Sequence, residues 1–157
     1  DLGRYNEGKQ VFQDAKNLLD RKNDGKMDPY IEEKLASKHE ELADLYFQYK
    51  QFSEAADQLY KAHKLSTRKP ELAMRISECH VQMGNIQRAV NDLKVLIREY
   101  PNFIPARMKL GIIFYNNNNL AEATEIWEGV LMRDPKHTEA AKYLRMAQAA
   151  GITELNF

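Results

Sequence analysis

The feature that most limits how this chain can fold is a spacing of 34 residues that recurs in several independent columns. Ala55, Ala89 and Ala123 are separated by this period, and so are Phe52, Ile86 and Leu120, then Leu59, Leu93 and Trp127. Leu42, Ile76 and Leu110 keep it, as do Tyr46, His80 and Phe114. Small residues recur at Ala43, Ser77 and Gly111, and Pro101 and Pro135 close two of the units. Agreement among so many columns is not a chance pattern, and a period of this length marks stacked supersecondary units. One unit alone leaves an apolar face uncovered, so neighbours must stack to bury it.

Within a unit the pattern reads as two antiparallel helices, which approach closely only where side chains are small. Ala43 with Ala55, and Gly111 with Ala123, are therefore expected at the crossings. Tyr46 with Leu59, and Phe114 with Trp127, are expected to fill the adjoining space to interior density. The prolines end second helices, because proline lacks an amide donor and clashes with the preceding turn. Asn116 to Asn119 reads as the turn inside the third unit, since asparagine tolerates the left-handed conformation.

Three segments carry a family likeness. LGIIFYNNNNLAEATEIWEGVLMRDP, starting at Leu110, has a Leu-Gly pair, an aromatic, a mid-unit Ala, a second aromatic and a closing Pro. ISECHVQMGNIQRAVNDLKVLIREYP keeps a turn glycine at Gly84 and puts His80 in an aromatic slot. LADLYFQYKQFSEAADQLYKAHKLST has Thr67 where the closing proline would stand. In these residues the chain resembles the tetratricopeptide repeat family, whose unit is a helix–turn–helix of this length. The resemblance covers residues 36–137, three units and about two thirds of the chain. It implies an all-α fold, a right-handed α-solenoid of helix–turn–helix repeats.

The flanks depart from the period. Residues 1–35 read as a partial repeat helix, a loop and the start of an elongated helix from about Tyr30 to Tyr49. The first of these repeats the rhythm of a second helix through Gly3, Tyr5, Gly8, Phe12 and Ala15. From Gly8 to Ala55 is 47 residues, 13 more than one period, and Arg21 to Pro29 supplies loop chemistry in the surplus. Residues 138–150 read as a capping helix with Ala141, Leu144 and Gln148 on its packing face and Gly151 at its end. Residues 151–157 form an unassigned tail. The chain begins at Asp1 and is expected to be a fragment trimmed from a longer array, so a signal or anchor could have been cut away.

Charge and motif content narrow the function. The 23 basic and 23 acidic residues balance, which lacks the basic footprint of a nucleic-acid binder. No run approaches the roughly 18 apolar residues of a membrane span, and no secretory leader is visible, so a cytoplasmic location is expected. The single cysteine, Cys79, excludes a disulfide framework and a thiolate-rich metal site. Asp20 to Ile31 resembles a calcium loop only superficially, because Lys22 occupies a ligand place and Ile31 the twelfth position. Cys79 and His80 adjoin on a helix and point in different directions, which suits a buried thiol beside a histidine that replaces an aromatic. No phosphate loop, HExxH or GxSxG motif occurs. No enzyme, cofactor or metal is expected.

The resemblance further implies that the first helix of each unit lines an inner, concave surface. The residues expected to contact a partner there are Glu40, Asp44 and Phe47 in the first unit and Met74, Arg75 and Glu78 in the second. Met108, Ile112 and Tyr115 in the third, with Met146 in the cap, complete the set. This surface would be acidic at its start and apolar at its end, with methionines that adapt to a partner. The expected occupant is a protein or peptide, an amphipathic helix or extended segment with basic residues at one end. One family subtype grips the terminal carboxylate of chaperone tails with inward lysines and asparagines. Glu40 and Asp44 stand at the matching places with the wrong charge, so that subtype is not expected. The chain thus reads as an interaction scaffold or adaptor, within a larger bacterial assembly or signalling protein. The alternatives are a self-assembling structural protein whose groove receives a second copy, and the regulatory domain of a larger enzyme. Light scattering across concentrations separates self-assembly from the first reading.

Overall fold

The computed structural model describes residues 2–20 and 27–155, which form eight helices and no strand. They fall into two compact units, Asp1–Lys69 and Pro70–Phe157. The first unit holds α1 (Leu2–Asp20), α2 (Pro29–Gln48) and α3 (Phe52–Leu65). The second holds α4 (Lys69–Gln82), α5 (Ile86–Glu99), α6 (Ile104–Asn116), α7 (Leu120–Arg133) and α8 (Thr138–Leu155).

In the first unit, Asp28 caps α2 by accepting the Tyr30 amide at 2.8 Å, with Pro29 preset for the first turn. Helices α2 and α3 bury Leu35, Ala36, Ala43, Ala55, Leu59 and Ala62 between them. The small side chains at Ala43 and Ala55 permit the close approach that Leu59 then fills. Ring contacts tie α1 to α2: Tyr5 meets Tyr46 edge-on at 5.5 Å, and Phe12 stacks on His39 at 5.2 Å. No proline closes this repeat. Instead Glu33 accepts the Ser66 hydroxyl at 3.0 Å and the Thr67 amide at 3.3 Å, holding the end of α3 to the start of α2.

Buried clusters among the described residues organise the second unit. One is built from Ala89, Val90, Leu93, Leu96, Ala106, Leu110 and Ile113, and another from Met108, Ala123, Trp127, Val130, Ala140 and Ala147. Helices α5 and α7 stop two residues before Pro101 and Pro135. Gly111 is close to Trp127: a Cβ there would lie 2.6 Å from the indole Cε2, an overlap that only glycine avoids. At Gly111, expected at a helix crossing, the neighbour that excludes a side chain is the Trp127 indole. Trp127 is fully buried, stacks on Tyr143 at 5.2 Å, and its Nε1 finds no acceptor among the described residues. That orphaned donor is a cost of the packing.

Among the described residues three turns carry a positive φ: Lys50 at 59°, Gly84 at 78° and Asn118 at 61°, all one period apart. The asparagine run therefore turns as its sequence suggested, with Asn118 left-handed. Helix α8 does not stop at Gly151 but continues to Leu155, where Thr153 donates back to the Ala149 carbonyl at 2.8 Å. A helical glycine costs only about 1 kcal/mol relative to alanine, which does not break a helix that its neighbours favour. On α8 the packing face is Ala140, Tyr143, Leu144 and Ala147, whereas Gln148 is exposed.

Candidate interaction site

In the second unit, α4, α6 and the chain around His137 to Glu139 surround a concavity of about 340 Å³. Ile104, Met108 and Ile112 line it at successive intervals of four, the spacing that puts side chains on one helix face. Met74 on α4 completes the apolar wall. Met74 and Ile112 are half-buried, so both present surface to the opening. Met108 is only 7% exposed. His137 is turned aside as a cap, its Nδ1 accepting the Ala140 amide at 3.1 Å.

Of the charged residues that line this concavity, Lys109 is paired. Lys109 forms an ion pair with Glu78, and Gln82 Nε2 donates to Glu78 Oε1 at 2.8 Å. Burial alone would raise the Glu78 pKa. The hydrogen bonds from Lys109 and Gln82, with the lysine charge, outweigh that and hold the carboxyl below its ordinary range.

The structure brings Met74, Met108 and Ile112 together and leaves other expected contact residues elsewhere. Met108 lies deeper than an open groove residue, because α6 carries apolar side chains on every face and that face joins the buried cluster. Tyr115 does not line the concavity; its ring packs near Trp127, 6.0 Å away. Met146 is 40% exposed on α8 and also lies outside the lining. Arg75 is half-buried on α4. In the first unit Glu40 is in an ion pair with Arg68, and Lys38 binds Glu41 at 2.9 Å. The acidic face expected there is thus partly neutralised, by partners that helix periodicity does not reveal. Asp44 is exposed, and Phe47 meets Phe52 edge-on at 5.0 Å.

Neither Cys79 nor His80 is arranged for chemistry. Cys79 is buried, and burial pushes its thiol up to about 11. His80 is buried with its Nδ1 2.8 Å from Asp92 Oδ2, so a carboxylate satisfies the ring in the aromatic slot. Among the described residues no group of three His, Cys, Asp or Glu could hold a metal ion. The weak calcium-loop pattern falls largely on residues 21–26, outside the described residues. Among the described residues no helix is long and apolar enough to cross a membrane.

A family sequence model, described as Tetratricopeptide repeat protein 21 ARM repeat, matches residues 1–126. The chain belongs to this family. No curated protein sequence matches the chain. Among solved structures, the first TPR of Spaghetti (RPAP3) bound to the HSP90 peptide SRMEEVD aligns with TM-score 0.61 and 22% identity, covering 75% of this chain and 94% of that one. The Sgt2 TPR domain from Aspergillus fumigatus aligns with TM-score 0.63 and 17% identity over 77% of this chain and 81% of its own. The second TPR domain of human RPAP3, in complex with the HSP70 peptide SGPTIEEVD, gives TM-score 0.59 and 15% identity over 77% and 98%. Likeness at these identities shows the fold, which is that of tetratricopeptide helical repeats. Likeness at these identities says nothing of source, so the expected bacterial source gains no support.

One feature of the family member's first unit escaped the sequence reading: a cleft of about 300 Å³ among α1, α2 and α3. Its residues come from three separated segments, and no short motif signals them.

Proposed function

We propose that the chain is a protein-interaction scaffold whose second unit holds an apolar anchor of a partner segment in the concavity lined by Met74, Met108 and Ile112. The observation that carries this reading is that Met74 and Ile112 form a half-open apolar wall with Met108 at its base. With Glu78 and Lys109 paired, the apolar wall and the Glu139 carboxylate are the surfaces offered to a partner there. A basic residue beside the anchor can reach Glu78 by displacing Lys109, which fits an amphipathic segment with a basic end. The peptide complexes of the RPAP3 domains support the reading at the level of class, since repeats of this fold bind peptides there.

A benzoylphenylalanine introduced at Ile112 tests this directly. It is expected to crosslink a partner protein in extracts of the source organism, while the same probe at exposed Lys94 on α5 does not. Met74→Glu should abolish the Ile112 crosslink with helicity unchanged by circular dichroism. Equal crosslinking from both positions would count against the site. Met108 is a poor place for such a test, because a charge at a buried position destabilises the fold itself.

A further inference from the structure

We propose a second binding site in the first unit: the cleft among α1, α2 and α3 takes an acidic amphipathic helix of a partner protein, apolar side chains inward and carboxylates toward four lysines. Lys9 and Lys16 come from α1, and Lys61 and Lys64 from α3. Phe12, Leu35, Leu42 and Leu65 supply apolar surface, and among the described residues no Asp or Glu lines the cleft. In a chain with equal numbers of acidic and basic residues, such a cluster is a local excess of one sign. None of the four lysines makes an ion pair with a described residue, in contrast to Lys38, Arg68 and Lys109.

The dimensions suit a helix laid along the cleft. The contributing face of α1 runs from Tyr5 to Lys16, a length of about 16 Å at 1.5 Å per residue, or three turns. An opposing helix of similar length would present an apolar stripe with acids on both margins, the arrangement of helix-in-groove recognition. The cavity of about 300 Å³ receives the side chains of that stripe rather than the helix itself. His39 ties the cleft together, stacking on Phe12 of α1 and bonding Gln58 of α3 at 2.8 Å. Burial, with the nearby charges of Lys61 and Lys16, lowers its pKa, so at neutral pH it adds packing rather than charge. The lysines lie on α1 and α3, not on the first helix of a repeat, so this site does not rest on the inward concavity of the second unit.

The test uses the full chain and a fluorescein-labelled peptide, ELEELLEELEEL, followed by anisotropy. Saturable binding that weakens with added salt is expected. K61E/K64E should reduce the affinity about ten-fold or more. I112E, which impairs only the other site, should leave it unchanged. All three substituted positions are exposed or half-exposed, and circular dichroism verifies the fold. The proposal is overturned if the acidic peptide does not saturate, if KLKKLLKKLKKL binds equally, or if K61E/K64E leaves affinity unchanged. It is also overturned if sodium decanoate, not the peptide, shows the lysine-dependent binding. Concentration-dependent dimers that disappear in K61E/K64E and exclude the peptide would equally overturn it, by making a second copy the occupant.

Discussion

In the first repeat the chain turns through Lys50 at φ 59°, and in the third through Asn118 at φ 61°. The first repeat is closed by Glu33 accepting from Ser66 and Thr67, whereas the third is followed by Pro135. The first packs α2 on α3 over Ala43, Ala55 and Leu59, whereas the third sets glycine against a buried indole. The same helix–turn–helix spacing is therefore reached by different side-chain chemistry. Closure depends on polar side chains in the first repeat and on ring packing and proline stiffness in the third. What the period conserves is backbone path and small-residue placement, not the interaction that enforces them.

The sharpest way to break this comparison is Gly111→Ala. Overlap with Trp127 should cost about 1–3 kcal/mol, read by urea denaturation. A neutral result would show that the indole moves aside and that the third repeat is no tighter than the first. Glu33→Ala comes next, at about 1–2 kcal/mol, because it removes the acceptor of the buried Ser66 hydroxyl, while the exposed Thr67 amide turns to water. Pro135→Ala should cost less, about 0.4–1 kcal/mol, through unfolded-chain entropy alone. If the order of these two is reversed, polar closure of the first repeat is the weaker device.

The turn at Lys50 offers a gain. Glycine there relieves left-handed strain of about 1–2 kcal/mol and gives back part of it as chain entropy. Lys50→Gly should therefore stabilise by about 0.5–1 kcal/mol, while Asn118→Gly changes less because asparagine already tolerates the conformation. Thermal denaturation of the two variants side by side decides this.

The smallest expected difference is in acid sensitivity. His39 has a pKa lowered from 6.5 by burial, so its folded state resists protonation. Its contribution is complete above 6.5 and is lost as pH falls below that toward the folded value. Glu78 has a pKa lowered from 4.5, so its contribution holds above 4.5 and is lost only in more acidic solution. Hydrogen exchange should accordingly rise around α2 at a higher pH than around α4. His39→Gln should remove the first transition and leave the second. Coincident transitions would refute the assignment.

The helices and turns were legible because the columns at Ala55, Ala89 and Ala123 fix the repeat register, and because Asn and Gly at the turn positions state a backbone requirement. Depth was not legible on α6. Ile104, Met108, Leu110, Ile112 and Ile113 surround that helix with apolar side chains, so no polar face told Met108 apart from its more open neighbours. Pairing was also hidden, since Arg68 reaches Glu40 across 28 residues and Lys109 reaches Glu78 from another repeat. The lysine cleft draws on α1 and α3, whose shared second-helix rhythm sets their apolar positions but not the placing of Lys9, Lys16, Lys61 and Lys64. The end of α8 was misjudged because Gly151 reads locally as a stop, whereas the helix continues through it.

Methyl spectra of the chain, labelled at Met and Ile and titrated with the protein crosslinked from position 112, test the central claim most directly. The account predicts that Met74, Met108 and Ile112 shift together while Met132 and Ile152, exposed elsewhere, stay in place. Shifts at Met132 and Ile152 without any at Met74 or Ile112 would contradict it.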